Sequence, residues 1–474
     1  MFTMMKKFEN LTNFIREKCD KYVYTFFMPL LASLLVLLFW FANLQLVGFT
    51  LMILLSCFIL IFYDDILPLV PFMLMMPMCF RDSTTTFAQD LTFCIVLFAI
   101  LGSSLVFHLI KYPIKNIKLD GFFFFLVGLN IIFLISGIFS NNAKNYFKAT
   151  DIYLISGVMP LVIHFFFYNK VKLDNRVNHR RYVCIAFVIA ITLACIQLCY
   201  AKFYNGLYGK ASWIPHLPNF CWANTNNIAN MILIAVPLCC YMALASKSVW
   251  AWLVEIFFLY ACMFISGSDG ALAALLVGTP FLMFFVYKHC LRENFHFIKI
   301  FYLALISIIV VVLSALVLFD ITDLVNFITE SSSGNGRIWA YELSIESFLD
   351  YPIFGVGLGG GRAALDAIAD AHQYNGFYHS TIFHILTCCG LVGILTFVIY
   401  YVVRIKYVLK NHTIFGELVF YAFIMFGIYG TIDTGEFNIV LLFMTTLITL
   451  AGHINKNGSD DEPLPLFVKI PKYN

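Results

Sequence analysis

His379-Ser380 opens an apolar segment, and nine residues later Gly390-Leu391-Val392-Gly393 follows. An imidazole titrates near neutrality, so at the mouth of a hydrophobic helix it is a candidate base for a hydroxyl proton. A lone histidine at a helix end also serves structure, and both readings stand on the residue alone. Upstream, residues 320 to 378 make the one long polar interval of an apolar chain and hold Arg337, the run Gly355-Val356-Gly357-Leu358-Gly359-Gly360-Gly361-Arg362, and His372. The fixed charge and forked donors of Arg337 suit a phosphate, and equally a lipid headgroup.

Gly355, Gly357 and Gly360 fit a G-x-G-x-x-G pattern, but no strand precedes them, so a dinucleotide fold is excluded. A tight, backbone-exposing turn is expected, either as plain loop geometry or with amides that help hold an anion near Arg362. Candidate substrate contacts are therefore Arg362, Ser380, His372, Gly357 and Gly359. His372 and His379 lack a carboxylate cluster and a zinc-like spacing, and no metal or cofactor is expected. His384 reads as a core group, and Asp269, in Ser266-Gly267-Ser268-Asp269-Gly270, as a helix cap.

These groups need a scaffold, and the composition specifies it. Hydrophobic residues make up 61% of the 474 and charged ones 12%, with repeated apolar runs long enough to cross a bilayer. The expectation is an all-α, polytopic transmembrane helical bundle of about 12 to 14 spans, a single integral membrane domain over 1–474. Segments are expected at 22–42, 46–63, 66–80, 90–110, 120–139, 151–168, 182–203, 226–246, 249–266, 269–287, 299–319, 381–402, 415–432 and 436–452. Pro68, Pro71 and Pro77 make 66–80 either a crossing or a re-entrant, broken helix. A cytoplasmic N-terminus leaves only Arg81, Lys144, Lys148, Lys202, Lys210, Arg337 and Arg362 outside and puts the other basic residues, Arg404 to Lys410 among them, inside. That bias, with parity favouring a crossing at 66–80, puts both termini in the cytoplasm and the large 320–378 loop outside.

Residues 1–21 are too polar for a signal peptide and read as a cytoplasmic interfacial helix, while 453–474 reads as a cytoplasmic tail. In the outer loop, Ser331 to Gly336 suggests a turn ahead of a short amphipathic helix that begins at Arg337, carries Ile338, Tyr341, Ile345 and Phe348 on one face, ends at Tyr351-Pro352, and either rests on the outer leaflet or covers a cavity. Most of the 14 cysteines fall in apolar segments and read as small hydrophobes. A net charge of +3 without a basic stripe gives no sign of a nucleic-acid partner.

Arg337-x-Trp339, Asp350-Tyr351-Pro352-Ile353-Phe354-Gly355-Val356-Gly357-Leu358-Gly359 and His379-Ser380-x9-Gly390-x-x-Gly393 resemble the signature region of the O-antigen ligase and O-antigen polymerase family. Asn224-Thr225-Asn226-Asn227-Ile228-Ala229 resembles a further family feature, and the likeness covers roughly 220–400. It implies a metal-independent glycosyltransferase of the bacterial cytoplasmic (inner) membrane, with a polyprenyl-diphosphate-linked glycan as donor and a glycan or lipid as acceptor. In that reading His379 activates the acceptor hydroxyl and Arg337 stabilises the diphosphate, with chain-length regulators or flippases as possible partners. One departure concerns the outer turn, where the family commonly has Ser-Arg-Gly and this chain has Ser268-Asp269-Gly270, so that Arg362, Arg81 or Lys210 would substitute. The competing reading is a lipid-linked glycan flippase or other transporter, for which ionisable groups near the midplane, such as Glu255, would be the mark, whereas Asp269, Arg337, His379, Asp433 and Glu436 are expected together at the outer ends. A non-catalytic assembly partner is a third.

Overall fold

The computed structural model describes residues 2–80, 91–138, 157–171, 178–207, 225–245, 249–292, 297–318, 332–357, 378–410, 413–433, 435–437 and 439–453. Among these the regular structure is helical, as hydropathy requires of a chain whose backbone must bond internally in lipid. The long helices are α1 Phe2–Val23, α2 Phe27–Phe41, α3 Gln45–Phe62, α4 Leu91–Lys111, α5 Gly121–Ile138, α6 Met159–Lys170 and α7 His179–Leu207. They continue as α8 Thr225–Ala245, α9 Val249–Ser266, α10 Asp269–Arg292, α11 Phe297–Leu318, α12 Ser332–Asp350, α13 Thr381–Leu409, α14 Ile414–Gly430 and α15 Ile439–His453. Eight described helices are individually long and apolar enough to cross a membrane, or nine if α1 and α2 count as one bent span. The polytopic bundle is therefore established, and the expected 12 to 14 spans reduce on this criterion to those plus shorter apolar helices such as Ile414–Gly430 and Val440–Gly452.

α8 is the hub, buried along nearly its whole length and packed against α7, α9, α10 and α14. Outward faces of the other helices carry exposed Leu38, Ile110, Val254, Phe284 and Leu395, an apolar surface that only lipid can cover. α1 turns 81° from α2 and is tied down by Arg16, which donates to Phe62 O at 2.8 Å and pairs with Asp64 at 3.4 Å.

The 66–80 segment departs from a regular span. Its prolines divide it into Leu67–Leu69, Val70–Met75 and Met76–Cys79, and the freed backbone groups find side chains instead. Asp65 accepts from Leu67 N at 2.9 Å and Gln197 donates to Met78 O at 2.9 Å. The piece nonetheless runs back along α3, since it starts beside Phe62 and ends with Phe80 against Phe49. α4 then returns parallel to α3, Phe98 meeting Phe49 and Lys111 reaching Ile61 O at 3.2 Å.

Contacts sort the helix ends into two groups. Val23, Tyr182, Lys111 and Arg180 belong to one, where Tyr182 donates to Val23 O and Arg180 caps the last carbonyls of α15 at Ala451 and Gly452. Asp120, ahead of α5, lies outside the spans; burial alone would raise its carboxyl, but bonds from His164, Tyr407 and Phe123 N outweigh that and hold it down at about 2. The other group gathers Asn226, Gly270, Tyr429 and Thr381.

Two glycine motifs explain how α12 is docked. At Gly390 (φ 61°, ψ −155°) α13 breaks, which deprives Thr387 O, Cys388 O, Leu391 N and Val392 N of helical partners. The turn after α12 fills the gap: Val356 N donates to Thr387 O (2.9 Å), Gly357 N to Cys388 O (2.8 Å), Leu391 N to Pro352 O (2.9 Å) and Val392 N to Ile353 O (3.2 Å). Both chains must be bare for this approach, since a Cβ on Gly355 (φ 68°) would meet Thr387 O at 2.4 Å and one on Gly390 would meet Ile353 O at 2.6 Å. Gly355→Ala is accordingly expected to lower the melting temperature of the detergent-purified protein, with left-handed strain alone costing about 1–2 kcal/mol. Gly102→Ala, whose Cβ meets nothing, is the control and should be neutral or stabilising.

Candidate active site

α12 lies along the first segment of α13. Tyr341 stacks on Phe383 with ring centroids 4.3 Å apart, Ser344 Oγ donates to Phe383 O at 2.9 Å, and Thr387 Oγ1 donates to Ser344 Oγ at 2.6 Å. The helix begins at Ser332, so the serine-glycine stretch expected as a turn is helical and Arg337 lies inside it. The face packed on α13 holds Ala340 and Ser344, both buried, while Ile345 (46%) and Leu349 (70%) stay exposed. Small residues let two helices approach closely, and the large apolar side chains turn outward.

His379 ends the chain's approach to α13 in a left-handed backbone conformation, φ 45°, which costs a non-glycine residue about 1–3 kcal/mol. Its neighbours hold it there. Ser380 caps α13 by accepting from Phe383 N at 3.5 Å, Tyr341 OH donates to His379 O at 3.2 Å, and Thr381 Oγ1 donates to Asp433 O at 3.2 Å. The imidazole, 31% exposed, points its Nδ1 to Asp433 Oδ1 at 3.5 Å. Asp433 Oδ2 in turn accepts from Tyr429 OH at 2.8 Å and Asn226 Nδ2 at 3.4 Å. The entrance to α13, the end of α14 and the start of α8 thus converge on one histidine-carboxylate pair. The two groups face each other at ion-pair distance, without a direct hydrogen bond between Asp433 and Nδ1.

Among the expected site residues, His379 and Ser380 come together here, but Ser380 is 1% exposed and acts as a helix cap that positions His379. The Gly357 N–H, expected to help face an anion, is committed to Cys388 O, so plain loop geometry is what that glycine supplies. Arg337 sits one turn before Tyr341 in α12; its side chain, and all of His372, Gly359, Arg362, Arg81 and Lys210, lie outside the described residues. His384 is buried, its Nε2 3.8 Å from Cys388 Sγ, and Asp269 is the first residue of α10, where its charge suits the helix dipole.

The pairing of His379 with Asp433, Tyr429 and Asn226 had no signal in the sequence, and Glu436, expected at the outer ends with Asp433, lies buried. Asp433 was visible only as one of several acidic groups near helix ends, and Tyr429 and Asn226 had no local signal that joined them to it. Lys202 is a further group near these ends: its Nζ donates to Ser266 O at 3.3 Å and lies beside Gly267 (φ 67°), so a cation stands at the turn that precedes Asp269. Among the described residues no group of three or more His, Cys, Asp and Glu is gathered to hold a metal ion.

Residues 253–398, from α9 into the second part of α13, match the family model described as O-antigen ligase. Over this segment the chain is similar to the O-antigen ligase family. No curated protein matches the chain. The O-antigen ligase segment contains Arg337, the docked glycine turn, His379 and the Gly390 break; Asn226, Tyr429 and Asp433 lie outside it. That similarity and the bundle together suggest an O-antigen ligase-like membrane function.

Proposed function

We propose that this protein transfers or polymerises a polyprenyl-diphosphate-linked glycan at the outer face of a bacterial cytoplasmic membrane. The observation that carries the reading is the His379–Asp433 pair, built from three helix ends at the end of the bundle away from α1, the Lys111 end of α4 and Arg180. The acceptor hydroxyl attacks the anomeric carbon as His379 takes its proton through Nε2, with the Asp433 carboxylate facing Nδ1. The bond from the anomeric carbon to the diphosphate breaks, and Arg337 neutralises the charge that the leaving polyprenyl diphosphate gains. Lys202 supplies a second positive charge at the outer turn. Outer sidedness is supported by the charge bias of Lys247 and Lys288 to Lys299, and both termini are then cytoplasmic.

The place of the pair at the helix ends supports transfer over transport, although Arg404 and Glu436 form a second, interior charge pair. Glu255, the deep carboxylate singled out by sequence, accepts from Thr192 of α7 at 2.6 Å. Deleting the gene and running surface glycan on a gel tests the reading. Single unpolymerised units identify a polymerase and accumulated lipid-linked polymer identifies a ligase. An unchanged glycan profile, or donor retained on the inner leaflet as for a lost flippase, contradicts it.

A further inference from the structure

Below the His379–Asp433 pair the chain turns into the bundle rather than crossing its mouth. Gly435–Phe437 forms a single helical turn whose carboxylate, Glu436, is 3% exposed and accepts from Tyr401 OH. Arg404, fully buried, brings Nη1 to within 3.5 Å of the same Glu436 oxygen, while its Nε donates to Thr449 Oγ1 of α15 at 3.1 Å. The guanidinium lies over the Phe423 ring at 4.0 Å. Arg404 is therefore no cytoplasmic loop charge, as its place in the chain suggested, but half of an ion pair in the bundle interior. A buried pair is costly to desolvate and poor as a stabilising device, so its presence asks what it fixes.

The answer is three residues away. Asp433 is bonded through its backbone carbonyl to Thr381, at the start of α13, and Glu436 is bonded to Tyr401 and Arg404, farther along the same helix. One broken helix thus holds both Asp433 and the Gly435–Phe437 turn, and its entrance carries His379. The third wall is α8, whose Asn226 reaches Asp433 and whose Asn230, one turn on, meets Gly435 so closely that a Cβ there would lie 2.3 Å from Nδ2. Depth and rotation of the turn are both constrained, and with them the reach of Asp433 to His379.

We propose that Arg404, Tyr401 and Glu436 are positioning residues of the transfer site: the buried ion pair sets the seating of the turn that presents Asp433 to His379. This rests on the transfer reading above. Arg404→Leu/Glu436→Leu removes both charges together and keeps apolar volume, which leaves insertion intact where a single substitution would strand a charge.

The test uses the full-length protein reconstituted with a lipid extract of its own deletion strain as source of donor and acceptor. The saturated transfer rate is expected to fall about 10- to 100-fold, while the extract dilution giving half the rate moves less than about threefold. Arg404→Lys, which keeps the charge and loses the fork, should restore part of the rate. Adding Asp433→Ala to the double variant should cost nothing further, because the clamp works only through Asp433. If the double variant does not accumulate, Tyr401→Phe is measured the same way. Losses that multiply with Asp433→Ala, or a clamp variant as fast as wild type when Asp433→Ala is crippled, overturn the clamp alone. Wild-type transfer by Asp433→Ala itself overturns the site reading, and the clamp with it.

Discussion

Replacing His379 by alanine is expected to stop glycan transfer while the protein stays inserted and folded. The fold does not depend on the imidazole: α13 is capped by Ser380 and held by Tyr341 through the His379 carbonyl, both of which survive the substitution. Loss of a positioned base costs about 10²- to 10⁴-fold, enough to leave lipid-linked glycan untransferred in membranes. Relief of the left-handed strain is small beside that, since alanine meets the same backbone penalty as histidine. Asp433→Asn, which keeps shape and hydrogen bonds but not the charge, should fall between wild type and His379→Ala. The check is transfer rate in reconstituted vesicles, with Tm of the purified variant as the folding control. A His379→Ala protein that transfers within a few-fold of wild type would remove the base from the mechanism.

The second large effect is expected at Arg337. Its place in α12, one turn before the tyrosine that bonds His379 O, puts it on the element docked against the site. Arg337→Ala should reduce the transfer rate about 10²- to 10³-fold, the usual cost of losing one charge-stabilising donor of a transition state. Arg337→Lys should recover only part, because an ammonium cannot match the planar fork on a diphosphate. Rates with a fixed lipid extract, wild type against both variants, decide it. Equal losses in the alanine and lysine variants are also compatible with bidentate recognition, whereas no loss in either assigns Arg337 to the headgroups of the membrane.

Much of the bundle was legible in the chain because lipid makes hydropathy a strict code: each expected apolar segment contains helical structure among its described residues. The break at 66–80 was legible too, through Pro68, Pro71 and Pro77. His379 stood out by type and place. Asp433 did not, because it is brought to His379 by the folding of α13 against α14 and no local spacing encodes a partner two spans away. Likewise, Gly355-Val356-Gly357 and Gly390-x-x-Gly393 were visible as two motifs, but that each repairs the other's backbone appears only when the turn is seen in the break. Arg404 was misread as a loop charge for a related reason. A window of hydropathy cannot distinguish a basic residue at a helix exit from one paired inside, although Glu436, flanked by apolar segments at the far side of α14, was the signal that a counter-charge existed.

The most direct measurement is a structure of the full-length protein in lipid nanodiscs with a polyprenyl diphosphate bound. The account predicts the diphosphate against the Arg337 guanidinium, at the same end of the bundle as His379, with one sugar ring's reach separating it from the imidazole Nε2. A diphosphate seated at the α1 end, or held where no sugar could bridge Arg337 to His379, would contradict it.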